Sequence, residues 1–264
     1  MNLKKPIWYN KNIKYELVNF LKLYQKRPIR NNIHGMKINH MFNLYFILKK
    51  IRPNFVIESG VYKGQSTWLI EKTLPKTKIF SIDPNLDNRI YISKKAKYSK
   101  LDFKYQNFKK IPKNTLVFFD DHQPHVDRIM QCKFFKIKHI VFEDNYPVNK
   151  GDFYSLKHLL GISNFVHKPG RLSLLKTLFI FIKIIIKKII NQNYIVNIDM
   201  LNSRLRDRVA THNQKVNLKK HVKKYYILPK IKLINKNKKI NNHIIKNYYN
   251  ELSSYNYITY LRLN

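Results

Sequence analysis

The chain has 264 residues, and 44% of them are hydrophobic, so it is long and apolar enough for one large domain with a buried core. Its single cysteine, Cys132, excludes an intramolecular disulfide and any site built from several cysteines, and it suits a reducing compartment. Its formal net charge is +37, but only 10 of the 52 basic residues are Arg, and Lys is spread over the whole chain, which argues against a clustered nucleic-acid site.

The first 52 residues show the apolar spacing of helices and are expected to form a peripheral helical cover. Helices are predicted over 13–26 and 37–51, and Pro53 ends the second one.

After Pro53, short β-branched and aromatic runs alternate with helical segments. Strands are predicted over 54–59, 78–84, 101–108, 115–121 and 138–144, and helices over 64–74 and 125–135. This alternation is typical of an α/β fold with a mostly parallel sheet and helices on both faces.

The C-terminal part of the chain is expected to complete the same sheet. The patterns predict a strand, a helix and a strand over 223–229, 240–252 and 255–263, and the last strand is expected to be antiparallel. The domain would then span 53–264, with a lid or insert at about 168–222.

This insert contains the most apolar segment of the chain, residues 172–190. Four lysines inside it make it too charged for an ordinary transmembrane helix. Two interpretations stay open, namely a lid helix packed on the domain and an interfacial helix lying on an anionic membrane. Because the N-terminus shows no secretory signal, the chain is expected in the cytoplasm, with peripheral membrane contact left open.

Acidic side chains are scarce, yet six of the fifteen fall at the carboxyl ends of predicted parallel strands. They are Glu58, Asp83, Asp120, Asp121, Glu143 and Asp144. Ligands of such sheets bind outside the carboxyl ends of the strands. Helix capping explains one acid per strand end, but it explains two adjacent pairs poorly, because neighbouring carboxylates repel each other. A bound divalent cation removes that repulsion, and oxygen ligands suit Mg²⁺.

The segment VIESGVYKGQST, residues 56–67, joins a predicted strand to a predicted helix through Gly60 and Gly64. Glycines here permit a tight turn, so that a ligand can lie against bare main chain. Ser66 lies in the first turn of the helix, where free N–H groups point outward, and is a candidate cofactor ligand. Asp83 ends the next strand, where nucleoside-binding folds hold ribose hydroxyls; a turn-forming Asp before Pro84 is the structural alternative.

These residues resemble the S-adenosylmethionine site of class I methyltransferases in its E-x-G-x-x-x-G-x-S form. That form occurs in metal-dependent small-molecule O-methyltransferases of the catechol and caffeoyl-CoA type. It also occurs in the cephalosporin-hydroxylase-like, rhamnosyl and macrolide-sugar group. The resemblance covers roughly residues 53–160 and implies a Rossmann-like sheet. It further implies that Glu58, Gly60 and Gly64 shape the methionine and ribose side of the site and that Asp83 binds the ribose.

Near the adenine, members of this family often carry an acid after the third strand. This chain has Gln106 and Asn107 there instead. Both amides can hydrogen-bond an adenine edge, and Asn107 is the candidate contact.

The segments FFDDHQPHVDRI and VFEDNYP resemble the two metal-bearing turns of the same O-methyltransferases. The expected ligands of Mg²⁺ or another divalent cation are Asp120 or Asp121, then Asp144, with Glu143 or Asn145 completing the set. The cation would lower the pKa of an acceptor hydroxyl and fix its position, and Asp121 is a candidate catalytic residue as well as a ligand.

His122 and His125 lie beside these acids in the sequence, and either is a candidate general base. The structural alternative for each is a histidine that starts a helix or faces solvent. The choice between the two stays open.

These features predict an S-adenosylmethionine-dependent, Mg²⁺-assisted O-methyltransferase acting on a small hydroxylated acceptor, with sugars among the candidates. Two alternatives come from other classes. One is a catalytically silent protein of the same fold acting at a membrane surface, which the segment 172–190 motivates. The other is a nucleic-acid binder or modifier, which the net charge motivates.

Overall fold

A computed structural model gives the fold. It describes residues 13–108, 110–147, 155–157, 182, 218, 220–231 and 248–264. Two compact units are formed, one by Met1–Asp121, Arg128–Asn145 and Val222–Asn264, the other by His122–Asp127 and Tyr146–His221. Apart from Ile182, the segment 172–190 lies outside the described residues, so both of its interpretations stay predictions. No helix in the described part of the chain combines the length and apolar content that crossing a bilayer requires.

The described helices and strands alternate as the sequence predicts. In chain order they are α1 (Ile13–Tyr24), α2 (Ile38–Ile51), β1 (Phe55–Ser59), α3 (Gln65–Thr73), β2 (Lys78–Ile82), β3 (Ala96–Ser99), β4 (Thr115–Phe119), α4 (His125–Phe134), β5 (His139–Phe142), β6 (Val222–Ile227), α5 (Tyr249–Leu252) and β7 (Thr259–Leu263). Short 3-10 helices lie at Leu86–Asn88 and Phe103–Tyr105.

The strands form one seven-stranded sheet in the order β3-β2-β1-β4-β5-β7-β6. Strands β3, β2, β1, β4 and β5 pair in parallel, and β7 is antiparallel to both β5 and β6. The predicted α/β class, a mostly parallel Rossmann-like sheet with an antiparallel last strand, is confirmed.

The third strand lies earlier than predicted. Residues 101–108 were expected to form it, but β3 is Ala96–Ser99, and the predicted segment contains a 3-10 helix. Strand β3 is at the edge of the sheet and its residues are exposed or half-buried, so it lacks an apolar pattern. The aromatic spacing of the predicted segment has another cause, since the Phe103 ring is buried edge-on against Phe119, with centroids 5.0 Å apart.

Helix α2 packs into the hydrophobic core, and the N-terminal cover over residues 1–52 stays a prediction. Every residue from Ile38 to Leu48 is buried, the polar ones included. Asn39 accepts a hydrogen bond from the Ile231 N–H (3.0 Å) and donates to the Leu252 carbonyl (3.2 Å). Buried amides of this kind must be satisfied, so α2 also anchors the C-terminal segments.

Candidate cofactor and metal site

The carboxyl ends of four neighbouring strands are in register at one edge of the sheet. Ser59 of β1 pairs with Ile82 of β2 and with Phe119 of β4, and Phe119 pairs with Phe142 of β5. The residues that follow these four in the chain are Gly60, Asp83, Asp120 and Glu143. The parallel register therefore brings the glycine turn and three of the predicted acids into one row.

Gly60 and Gly64 hold the turn between β1 and α3 in the left-handed backbone region. Their φ angles are 96° and 86°. A Cβ on Gly60 would lie 2.0 Å from the Asp120 carbonyl oxygen, and one on Gly64 would lie 2.3 Å from the Tyr91 carbonyl oxygen. The space that glycine leaves is thus filled by the protein's own main chain, whereas the sequence suggested that a ligand would fill it.

Glu58 is fully buried near the carboxyl end of β1, although it was predicted to face a ligand there. Its Oε2 accepts hydrogen bonds from the Thr67 and Ser81 hydroxyls, each at 2.6 Å. Burial raises the pKa of Glu58, and hydrogen bonds from Ser66, Ser81 and Thr67 act against that rise. Glu58 therefore joins β1, β2 and the first turn of α3, and Ser66 serves it as a partner.

Asp83 fixes the conformation of the glycine turn. Its Oδ2 accepts hydrogen bonds from the backbone N–H groups of Val61 (2.8 Å) and Tyr62 (2.9 Å). Its Oδ1 accepts from the Asn85 N–H at 2.8 Å, which is the turn-forming bond expected before Pro84. The Asp83 carboxylate thus stabilises its own turn before Pro84 and also lies beside the glycine turn.

Gln65 starts α3 directly after Gly64, and the sequence analysis did not single it out. It is 3% exposed, and neither atom of its amide has a hydrogen-bond partner among the described residues. Leaving a buried polar group unsatisfied costs about 1–3 kcal/mol. An amide in this state fits a polar ligand bound at the turn.

The two candidate adenine contacts differ in exposure. Gln106 is half-buried, and its amide nitrogen donates to the Ser99 hydroxyl (2.9 Å) and the Leu101 carbonyl (2.6 Å). Asn107 is exposed. Of the pair, Asn107 is therefore the side chain accessible to a ligand.

Asp120 and Asp144 bring carboxylate oxygens within 4.8 Å of each other, close enough to share a cation. Glu143 is buried next to them. Burial, followed by the charge of Asp120 and then by a hydrogen bond with Asp144 and its charge, raises the pKa of Glu143 well above its ordinary value. A cation would relieve this repulsion, and a set of hard carboxylate oxygens suits Mg²⁺.

Asp121 belongs to a different cluster from Asp120. Its Oδ2 accepts hydrogen bonds from the Ser59 hydroxyl (2.6 Å) and from Arg128 Nε (3.0 Å). The Arg128 guanidinium also holds both oxygens of Asp102, at 2.9 and 2.6 Å. Burial raises the pKa of Asp121, and Arg128 and Ser59 oppose that rise. Asp121 is therefore part of a buried ion-pair network.

Asn145 is buried at the end of β5, beside Asp144 in the chain. Its amide nitrogen donates to the hydroxyls of Tyr225 (2.8 Å) and Thr259 (2.6 Å). These bonds tie the turn after β5 to β6 and β7.

The two candidate histidines lie in the second unit. His125 is buried, and its Nδ1 accepts a hydrogen bond from the Leu156 N–H at 3.1 Å. His122 is exposed and has a φ of 53°. The local contacts therefore give His125 a structural role and leave His122 accessible.

His40 on α2 is a further residue that the sequence analysis did not single out. Its Nδ1 contacts Glu143 Oε1 in the buried interior. Burial, followed by the charge of Lys230, lowers the pKa of His40 to about 3, so the imidazole is neutral at pH 7. The available signal was the presence of Asn39, His40 and Asn43 in an otherwise apolar helix.

No protein-family model and no curated protein matches the chain. Several solved structures are similar to it. The SAH-bound Podospora anserina methyltransferase PaMTH1 is 10% identical, the match covers 100% of both chains, and the TM-score is 0.46. CmcI with SAH is 15% identical, with a TM-score of 0.37, and the match covers 49% of this chain and 73% of that one.

A form of CmcI with Mg and SAM is 18% identical, with a TM-score of 0.35, over 41% of this chain and 53% of that one. The chain therefore spans about half the length of that structure. SAH, SAM and Mg are bound by those proteins.

Proposed function

We propose that this chain is an S-adenosylmethionine-dependent O-methyltransferase that uses a divalent cation and acts on a small hydroxylated acceptor, with sugars among the candidates. The observation that carries the proposal is the row formed by Gly60, Asp83, Asp120 and Glu143 at four aligned strand ends. The glycine turn, the candidate ribose ligand Asp83 and the candidate cation ligands are then neighbours where the strand order reverses between β1 and β4, which is where α/β sheets bind ligands.

The residues around the glycine turn fit the cofactor. Asp83 is oriented by three backbone N–H groups, and a carboxylate accepts about four hydrogen bonds, which leaves capacity for a ribose hydroxyl. The unsatisfied amide of Gln65 would bind the polar methionine end. The exposed side chain of Asn107 would meet the adenine edge. Glu58 and Ser66 would support the turn from the protein interior.

Asp120 and Asp144 would hold the cation, because their carboxylate oxygens lie within 4.8 Å of each other. The neighbouring Glu143, whose pKa their charges raise, would complete the set. A bound cation supplies Lewis acidity that lowers the pKa of the acceptor hydroxyl, and S-adenosylmethionine supplies the methyl group. Asp121 and Asn145 would position the two turns through their contacts inside the sheet.

His122 is assigned as the general base, since it is exposed while the Nδ1 of His125 is already an acceptor. A ring nitrogen of His122 would take the proton of the acceptor hydroxyl. The hydroxyl oxygen must approach the methyl group opposite the sulfur. Holding that alignment is a large part of the catalysis such a site can provide.

Calorimetric titration of the full chain with SAH tests the proposal. We expect saturable binding by the wild type and at least about tenfold weaker binding by Asp83→Asn, because each lost charged hydrogen bond costs about 1.5–3 kcal/mol. Asp87→Asn is the matched control, since the Asp87 side chain is 82% exposed in the same loop region. If the wild type gives no heat with SAH, with or without MgCl₂, the assignment fails.

A further inference from the structure

The interior contact between His40 and Glu143 links helix α2 to the end of β5. His40 and Glu143 are each 3% exposed, so the contact is shielded from bulk water. The two residues are about a hundred positions apart in the chain, and only the folding of α2 into the core brings them together. The ring of Tyr255 packs edge-on against His40, with centroids 4.9 Å apart, and holds the imidazole plane.

The hydrogen bonds of His40 determine which ring nitrogen carries the proton. Its Nε2 accepts a hydrogen bond from the Tyr257 N–H at 3.4 Å, so Nε2 presents a lone pair. Because Nε2 is an acceptor, the ring N–H is on Nδ1. His40 therefore donates its Nδ1–H to Oε1 of Glu143.

We propose that His40 is a positioning residue for the cation site, which would orient the Glu143 carboxylate through its contact with Oε1 toward a cation held with Asp120 and Asp144. This inference rests on the proposed function. Carboxylates that bind metals are themselves hydrogen-bonded, and losing such a partner typically weakens metal binding by about 10–100-fold.

This role is tested by titrating the full chain with Mn²⁺ in the absence of SAM and acceptor. Electron paramagnetic resonance measures the fraction of Mn²⁺ that is bound. His40→Leu removes the donor and is expected to weaken Mn²⁺ binding by about 10–100-fold. His40→Asn places an amide N–H near the position of Nδ1–H and is expected to bind Mn²⁺ within about threefold of the wild type. Rescue by Asn separates orientation of Glu143 from mere filling of the core.

His139→Leu is the matched control. His139 is a second partly buried histidine, at the opposite end of β5, and its Nδ1 pairs with the Tyr260 hydroxyl at 2.7 Å. We expect this variant to bind Mn²⁺ as the wild type does. Unfolding curves of all variants show which of them are folded at the temperature of the titration.

The outcomes separate this inference from the proposed function. If folded His40→Leu binds Mn²⁺ as tightly as the wild type, or if folded His40→Asn binds as weakly as His40→Leu, the positioning role is overturned and the cation site stands. If the wild type binds SAH but no Mn²⁺, the cation site itself fails, and the role of His40 falls with it.

Discussion

At position 60, both the backbone conformation and the packing require glycine. Its φ of 96° disfavours any side chain, and a Cβ there would meet the Asp120 carbonyl oxygen at 2.0 Å. We expect Gly60→Ala to lower the free energy of unfolding by more than about 2 kcal/mol, measured by urea denaturation.

The control for this substitution is Gly35→Ala. The nearest atoms to a Cβ on Gly35 would belong to the side-chain amide of Asn32, at 2.3 Å, and Gly35 has no positive φ. Because Asn32 can rotate away, we expect a smaller loss. Equal losses at the two glycines would contradict the assignment of Gly60 as a contact point between the turn and β4.

Glu58 predicts a pH dependence of stability with a definite sign. Its folded pKa is raised above the ordinary 4.5, chiefly by burial, so its stabilising contribution is present below pH 4.5 and is lost as the pH rises through the folded pKa. Relative to Glu58→Gln, the wild type should therefore lose stability as the pH rises from 4.5 through the folded pKa, by about 1.4 kcal/mol for each unit of pKa change.

Urea unfolding of both proteins across this pH range measures the difference. Every other titrating group is common to the pair, so the difference curve isolates Glu58. A wild type that gains stability over Glu58→Gln as the pH rises would contradict the assignment.

At the scale of the element, the turn after β4 divides two adjacent acids between two tasks. Asp120 lies near Asp144, whereas Asp121 is paired with Arg128 and Ser59. We expect Asp120→Asn to weaken Mn²⁺ binding at least about tenfold with little change in stability. We expect Asp121→Asn to leave Mn²⁺ binding within about threefold and to lower the free energy of unfolding by about 1–3 kcal/mol, because Arg128 loses a charged partner.

The two variants serve as controls for each other, since they remove the same charge one residue apart. Electron paramagnetic resonance measures the Mn²⁺ affinity of each variant, and urea denaturation measures its free energy of unfolding. The reverse pattern, with loss of binding at Asp121 and loss of stability at Asp120, would reassign the ligand.

The elements also show what local pattern can predict. The strands β1, β2, β4 and β5 were found within two residues at each end because they are apolar runs bounded by turns. Strand β3 was missed because an edge strand with exposed Lys97 carries no apolar signal. Helix α2 was found, but its burial on all sides was not, since helical spacing reveals a helix and not how many neighbours cover it.

At the scale of the whole molecule, the net charge of +37 predicts a non-specific attraction to polyanions. We expect any affinity for duplex DNA to show no sequence preference and to fall by about a thousandfold or more between 50 and 200 mM salt. Fluorescence anisotropy with two unrelated duplexes measures both properties. Binding that persists at 200 mM salt and prefers one duplex would favour the nucleic-acid alternative over the methyltransferase.

By itself the sequence determined the α/β class, the glycine turn and the acids at the strand ends. Strand periodicity and the positions of scarce carboxylates are local features, so they can be recognised from the sequence alone. Only the tertiary structure decided which acid meets which partner. Adjacent side chains such as Asp120 and Asp121 take separate directions from the backbone, and their environments come from residues far away in the chain. The contact between His40 and Glu143 likewise depends on the packing of α2. No spacing rule in the sequence links a residue of that helix to the end of β5.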